Sequence, residues 1–232
     1  MGSVIALIPA AGKGLRMGSD IEKPYLEIGG RPMLGHTLDA FDRCREVDGY
    51  VLAVDPGRQD DCQRVVDRFG YNRVWQIVPG GATRQESVYL GLQALGRDVE
   101  MVIVHDAARP CVDSSLITAS IAKCRTEHAV LVAVPVKDTV KVVANGVVTD
   151  TPARATLWLA QTPQTFDRSL LLQAHQQARS EGYIGTDDAA LVERTGHSVH
   201  ILSGDYENIK VTTPEDLVTA AQILSQRQVS EK

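Results

Sequence analysis

The sequence predicts an α/β fold built on a mainly parallel sheet with one projecting β-hairpin arm, and three observations predict it. Apolar, β-rich runs recur along the chain, and most are continuous rather than alternating, as in strands buried on both faces. Helical patterns lie between them, so the order reads βαβ. One stretch breaks that alternation with Asn145-Gly146 set between short valine-rich segments, which is a hairpin signature.

Taken in order, Val4 to Ile8 is the first strand and runs straight into a loop of small residues. Met33 to Cys44 carries helical spacing, Tyr50 to Val54 is the second strand, Gln59 to Phe69 the next helix and Val74 to Val78 the third strand. The helix of Thr83 to Leu95 opens on Thr83-Arg-Gln-Glu86, a capping box in which hydroxyl and carboxylate satisfy amides that the first turn leaves unpaired. Val99 to His105 and Ala129 to Val136 are strands flanking a helix of Ser114 to Arg125. Asp138 to Leu157 holds Val140-Lys-Val-Val, the Asn-Gly turn and Val147-Val-Thr, and reads as the arm. Helices of Ser169 to Glu181 and Asp187 to Thr195 follow, then a strand of Ser198 to Leu202. The last helix, Pro214 to Arg227, places proline at its first position, where the missing N–H costs nothing. No repeat, low-complexity tract or linker divides the chain, so one domain of residues 1–232 with an arm at about 138–157 is expected.

Composition narrows the function. The net charge of −5, from 24 Lys+Arg against 29 Asp+Glu, leaves no broad basic footprint for nucleic acid or an anionic membrane surface. No apolar run approaches the roughly 20 residues of a bilayer-spanning helix, and the first residues lack the basic start of a signal or transit peptide, so a cytoplasmic protein is expected. Cys44, Cys62, Cys111 and Cys124 contain no C-x-x-C pair and read as buried free thiols. His197 and His200 fall three apart in a run read as a strand, on opposite faces, and so cannot share a metal.

Chemistry concentrates where strands end. Pro9-Ala-Ala-Gly-Lys-Gly-Leu-Arg-Met-Gly18 fits neither the dinucleotide fingerprint, because position 17 is methionine, nor the P-loop. A small-residue loop there still lets backbone N–H groups approach phosphates, and three cations nearby, Lys13, Arg16 and Lys23, in an acidic protein favour phosphate binding over a tight turn with solvated cations. His105-Asp106-Ala-Ala-Arg109 puts a carboxylate just past an apolar strand, either as the one protein ligand that nucleotide-bound Mg²⁺ needs or as a turn cap. Gly80-Gly81 with Ser87 suits close approach of a planar base or an ordinary helix start. Lys210, before the last helix, reads equally as a functional or an exposed loop cation, and Thr186-Asp187-Asp188 reads first as a helix cap. Arg154 and Thr139 lie in or beside the arm. No nucleophile for covalent catalysis stands out.

The ordered set Pro9-Ala-Ala-Gly12-x-Gly14-x-Arg16-Met17, Lys23, Gly80-Gly81-x-x-Arg84-x-x-Ser87-Val88, His105-Asp106-Ala-Ala-Arg109-Pro, Asp138-Thr139-x-Lys141, Thr162-Pro-Gln164, Thr186-Asp187 and Asn208-Ile-Lys210 resembles the 2-C-methyl-D-erythritol 4-phosphate cytidylyltransferases, the CTP-using enzymes of non-mevalonate isoprenoid synthesis. The resemblance runs from about Ile5 to Leu217.

What it implies is a Rossmann-like nucleotidyltransferase fold and a homodimer clasped by exchanged arms, with CTP, Mg²⁺ and methylerythritol phosphate as its partners. By that resemblance Ala10, Ala11, Gly81 and Ser87 lie at the ribose and cytosine, Gly12 and Gly14 along the phosphates, and Asp106 holds Mg²⁺. Arg16, Lys23 and Lys210 surround the α-phosphate, while Arg109, Thr139, Arg154 and Thr186 hold the sugar phosphate, some from the partner chain. A cytidylyltransferase for a pentitol phosphate such as ribitol 5-phosphate is the alternative. A non-catalytic nucleotide sensor on the same fold is disfavoured by the cations gathered for an α-phosphate.

Overall fold

Side-chain alternation along the first strand divides the core in two. In β1 (Ser3–Ala10), Val4, Ala6, Ile8 and Ala10 belong to one buried cluster, while Ile5 and Leu7 belong to another on the opposite face. The structure is a computed structural model that describes residues 2–12 and 23–230, with side chains described to residue 227. Lys13, Gly14 and Arg16 of the first glycine loop lie outside the described residues.

The other strands and α-helices among the described residues are β2 (Glu27–Ile28), β3 (Arg31–Pro32), α1 (Met33–Arg43), β4 (Gly49–Val54), α2 (Gln59–Phe69), β5 (Val74–Pro79), α3 (Arg84–Gln93), β6 (Val99–Val104), α4 (Ser114–Glu127), β7 (Ala129–Pro135), β8 (Val142–Ala144), β9 (Val147–Asp150), β10 (Trp158–Asp167), α5 (Arg168–Ser180), α6 (Asp188–Arg194), β11 (His200–Ser203) and α7 (Pro214–Ser230). The main sheet has the order β11-β7-β10-β6-β1-β4-β5. Helices α1, α2 and α4 contribute to the cluster on one face through residues such as Leu38, Phe41, Val66 and Ile121. Helices α3, α5 and α6 cover the other through Val88, Leu92, Leu171 and Leu191. No helix among the described residues is long and apolar enough to cross a membrane.

Every pairing in this sheet is parallel except those of β10, which runs antiparallel to both β6 and β7. That strand corrects the sequence reading, which left residues 158–167 without an element. Proline cannot donate to a ladder and argues against a central strand. Here Pro163 falls where the register with β7 shifts between Ala160 and Gln164, after a cis Thr162-Pro163 bond, so the strand continues past it. A second correction concerns the histidines. The last strand begins at His200, so His197 precedes it and the alternation argument does not apply; His197 meets Thr195, and His200 meets Glu127.

The arm is a hairpin of β8 and β9 in which Asn145 and Gly146 both take positive φ, 51° and 78°, as its two-residue turn requires. Edge strand β5 is only half buried, with Trp75 46% exposed, because among the described residues no strand pairs beyond it.

Candidate active site

Strand β1 sits between β4 and β6, and the chain fills β4 and β5 on one side before crossing to β6 on the other. Open α/β sheets place ligands at such a reversal, outside the carboxyl ends of the strands. A cavity of about 890 Å³ lies there. Its walls come from the ends of four parallel strands: Pro9 to Gly12 at the end of β1, Asp55 and Pro56 after β4, Gly80 to Arg84 and Ser87 after β5, and Asp106 to Ala108 after β6, joined by Lys23, Pro24 and Lys210.

The glycine turn after β5 is built for close approach. A Cβ on Gly80 would stand 2.6 Å from the Ala11 Cβ and 3.1 Å from the Val54 carbonyl oxygen, so only glycine fits between the ends of β1 and β4. Ser87, fully buried on α3, accepts from Gly81 N–H at 3.0 Å and donates to the Thr83 carbonyl at 2.9 Å. Its hydroxyl thus fixes the turn that Ala11 packs against. The capping box forms, with Thr83 Oγ1 accepting from Glu86 N–H at 3.1 Å; the Glu86 carboxylate reaches back to the Ala82 amide rather than to Thr83.

Asp106 forms the floor. Its Oδ1 accepts from Arg84 Nε at 2.8 Å and its Oδ2 pairs with Lys210 Nζ at 2.7 Å. Burial opposes ionisation of this carboxyl, but the two cations outweigh it and hold its pKa well below the usual carboxylate range. Behind it the Asp106 N–H donates to Thr162 Oγ1 at 3.1 Å, from the bulged part of β10. The turn-cap reading is met by backbone instead, since Arg109 N–H donates to the Asp106 carbonyl.

Lys210 owes its place to the residues around it. Asn208, buried, donates through Nδ2 to Gln161 Oε1 and the Thr162 carbonyl, and Val211 N–H donates to the Ala108 carbonyl, so both sides of Lys210 are tied to the strand ends. Arg109 is buried and donates to the carbonyls of Asn208 and Ala160, stitching β10 to this loop. It does not line the cavity, nor do Thr139, Arg154 and Thr186, which are all exposed on this chain. Arg154 donates to the Lys137 carbonyl at the base of the arm. Thus the structure gathers Ala10, Ala11, Gly12, Lys23, Gly81, Ser87, Asp106 and Lys210 at one cavity and leaves the residues expected at the sugar phosphate outside it.

The residue that sequence reasoning missed is Arg84. Arg84 was noted only as part of a motif, yet it joins Asp106 to Asp188, 2.7 Å from Nη1, and Asp188 was read only as a helix-start acid. The helix cap itself is Asp187, whose side chain accepts from Ala190 N–H. The clue available was the arginine immediately after the cap Thr83 in a glycine turn.

The family model for 2-C-methyl-D-erythritol 4-phosphate cytidylyltransferase matches residues 4–226. The chain belongs to that family. A Desulforamulus reducens 2-C-methyl-D-erythritol 4-phosphate cytidylyltransferase is 48% identical over 98% of each chain, and the Geobacter metallireducens protein of the same name is 47% identical over 97% of this chain and 99% of its own. Among solved structures, the 4-diphosphocytidyl-2C-methyl-D-erythritol synthase of Anaerococcus prevotii superposes with a TM-score of 0.85 at 33% identity, covering 97% of this chain and 99% of that one. These cytidylyltransferase relatives are matched over nearly their whole length.

Proposed function

We infer that the chain transfers the cytidylyl group of CTP to 2-C-methyl-D-erythritol 4-phosphate and releases pyrophosphate. The observation that carries this reading is the ionised Asp106 on the cavity floor, flanked by Arg84 and Lys210 and facing the glycine turns of β1 and β5, in a chain of this family.

The donor set suits magnesium carried by a nucleotide. Among the described residues no group of three or more acidic, histidine or cysteine side chains could hold a metal by itself, so an ion here needs phosphate and water ligands beside one carboxylate. Among the described residues Asp106 Oδ1 meets Arg84 and Oδ2 meets Lys210, and a carboxylate oxygen has a second lone pair, which makes Asp106 the residue to hold the ion. When bound, Mg²⁺ supplies neutralisation of triphosphate charge.

The chain's own residues then do the rest. The backbone at Ala10, Ala11 and Gly12 lines the ribose and phosphates, with Gly14 expected beside them, while Gly81 and Ser87 shape the base pocket. A phosphate monoester oxygen of the acceptor attacks the α-phosphorus; the new P–O bond forms as the bond to the β-phosphate oxygen breaks, and pyrophosphate leaves. Near neutral pH the monoester is already an anion, so no general base is required. The barrier is alignment and repulsion, which Lys23, Lys210 and Arg16 relieve as charge builds on the α-phosphate. To reach that phosphate the Lys210 ammonium leaves Asp106, a move open to a half-exposed side chain on a flexible stem.

The acceptor's phosphate is assigned to Arg109, Thr139, Arg154 and Thr186 in a homodimer whose arms cross between protomers. Support comes from the arm's surface: Val142, Val143, Val147 and Val148 are 46–66% exposed and Trp158 and Leu159 are 40% and 53% exposed, more apolar area than an isolated arm should show to water. The test is pyrophosphate release with CTP and Mg²⁺ against a panel of alcohol phosphates. Methylerythritol phosphate should be turned over far better than ribitol 5-phosphate, and a reversed preference would overturn the reading.

A further inference from the structure

Arg84 is the first residue of α3, directly after its cap Thr83. A cation at a helix N-terminus works against the helix dipole, so this placement needs a compensating reason. Two carboxylates provide it. Arg84 Nε meets Asp106 Oδ1 at 2.8 Å and Nη1 meets Asp188 Oδ2 at 2.7 Å, two prongs of one planar fork on two acids. Asp188 is fully buried, and its Oδ1 meets His175 Nε2 at 3.0 Å, also fully buried. Gln164 of β10 accepts from the Asp188 N–H at 3.1 Å, and Tyr89 of α3 stacks near the His175 ring at 6.4 Å. The fork is therefore fixed from behind.

The geometry points to Arg84 as a positioning residue for Asp106, with Asp188 and His175 as its anchor. The two cations on Asp106 differ in kind. Lys210 can leave, being 44% exposed and bound at one point. Arg84 cannot follow it without leaving Asp188 buried beside His175 alone, a costly arrangement for a charge. Asp106 Oδ1 thus stays held while Oδ2 is released to the ligand side, and the carboxylate presents one chosen oxygen in one orientation. This rests on the proposed role of Asp106 in holding the metal that accompanies CTP.

A purely structural ion pair would change stability alone, so the experiment reads something else. CTP binding is measured by calorimetry without acceptor, once with Mg²⁺ and once with EDTA, beside turnover, for Arg84→Ala, Asp188→Asn and Asp106→Asn. Misplacement of a reacting group by about 1 Å costs on the order of 10²-fold, and Arg84→Ala should lower turnover by about that much. It should also shrink the gain in CTP affinity that Mg²⁺ confers while leaving affinity in EDTA near wild type. Low millimolar guanidinium should restore part of the lost turnover by refilling the vacated fork. Asp188→Asn, nearly isosteric and remote from the cavity, should show the same loss in milder form, and it decides the matter if Arg84→Ala does not fold. Wild-type turnover and a wild-type magnesium gain in Asp188→Asn overturn the inference. If Asp106→Asn is also wild type in both measurements, the metal role of Asp106 falls with it; if Asp106→Asn alone is impaired, only the positioning role of Arg84 falls.

Discussion

His105 and Thr162 face each other where β6 ends against β10, with imidazole Nδ1 3.1 Å from the threonine Oγ1. On its other side His105 Nε2 lies 3.2 Å from the Arg109 carbonyl, which can only accept, so Nε2 carries the proton and Nδ1 accepts from the Thr162 hydroxyl. The same threonine oxygen accepts the Asp106 N–H. A neutral imidazole therefore sets the direction of the hydrogen bonds behind the cavity floor, and burial pushes its pKa down to about 4.

Stability should consequently depend on this ring below neutrality. The unfolded imidazole titrates near 6.5, the folded one near 4. Above 6.5 both states are neutral and the full contribution is present. As pH falls through that window the unfolded chain takes up a proton that the folded chain refuses, and stability drops, by about 2 kcal/mol at pH 5. Urea unfolding of the wild type and of His105→Asn at pH 7, 6 and 5 should show the gap between them narrowing as pH falls. A gap independent of pH would contradict the assignment.

Lys210→Ala should separate catalysis from folding. The ammonium is half exposed and Arg84 stays on Asp106 when it is removed, so the melting temperature should change little. Turnover should fall by about 10²-fold or more, by analogy with loss of one transition-state donor. The opposite pattern, a large drop in melting temperature with turnover intact, would make the lysine a structural residue.

Gly80→Ala tests the base pocket through sterics. The new methyl would press on the Ala11 Cβ at 2.6 Å, the Ser87 Oγ at 3.0 Å and the Val54 carbonyl, none of which is the far end of a flexible chain. The turn must shift, so KM for CTP should rise about tenfold or more, as expected when roughly 1.4 kcal/mol of binding is lost. Steady-state kinetics with varied CTP gives the answer, and an unchanged KM would show that nucleotide does not approach this turn.

The crossed arms proposed above have a consequence that mixing can expose. In an isologous dimer an Arg154→Ala homodimer is damaged at both sites, and so is a Lys210→Ala homodimer. If each site draws Arg154 from one protomer and Lys210 from the other, subunit exchange creates heterodimers with one doubly damaged and one intact site. Random exchange leaves roughly a quarter of all sites intact, and pyrophosphate release should rise well above either parent. No recovery in heterodimers verified by mass spectrometry would place Arg154 at its own chain's site or at none.

Legibility in the sequence followed locality. The start of α3 could be read because Thr83 and Glu86 sit three residues apart and their cap forms as that spacing requires. Strand β10 could not, because Gln161, Thr162, Gln164 and Thr165 look like loop residues until their partners are known: Asp205, His105, Asp187 and Ser120, each more than 20 positions away. The glycine turns and Asp106 stand out by residue type at strand ends and Lys210 as a cation before a helix start, but residue type alone leaves the roles of Asp106 and Lys210 open. The pairing of Arg84 with Asp106 and Asp188 spans 22 and 104 positions, and no local pattern announces a partner at that distance.

The insertion of β10 between β6 and β7 also dictates an order of assembly. A ribosome that has delivered the chain only as far as residue 135 has made β6 and β7 with no shared neighbour, each offering an open row of amides and carbonyls. Such edges invite pairing with other chains until they are covered. Residues 158–167 must emerge, pass beyond the arm and thread into that gap before the sheet is continuous. Because the same ten residues carry Thr162 to Asp106 and Gln164 to Asp188, closing the sheet and completing the cavity floor are one event in the life of the nascent chain.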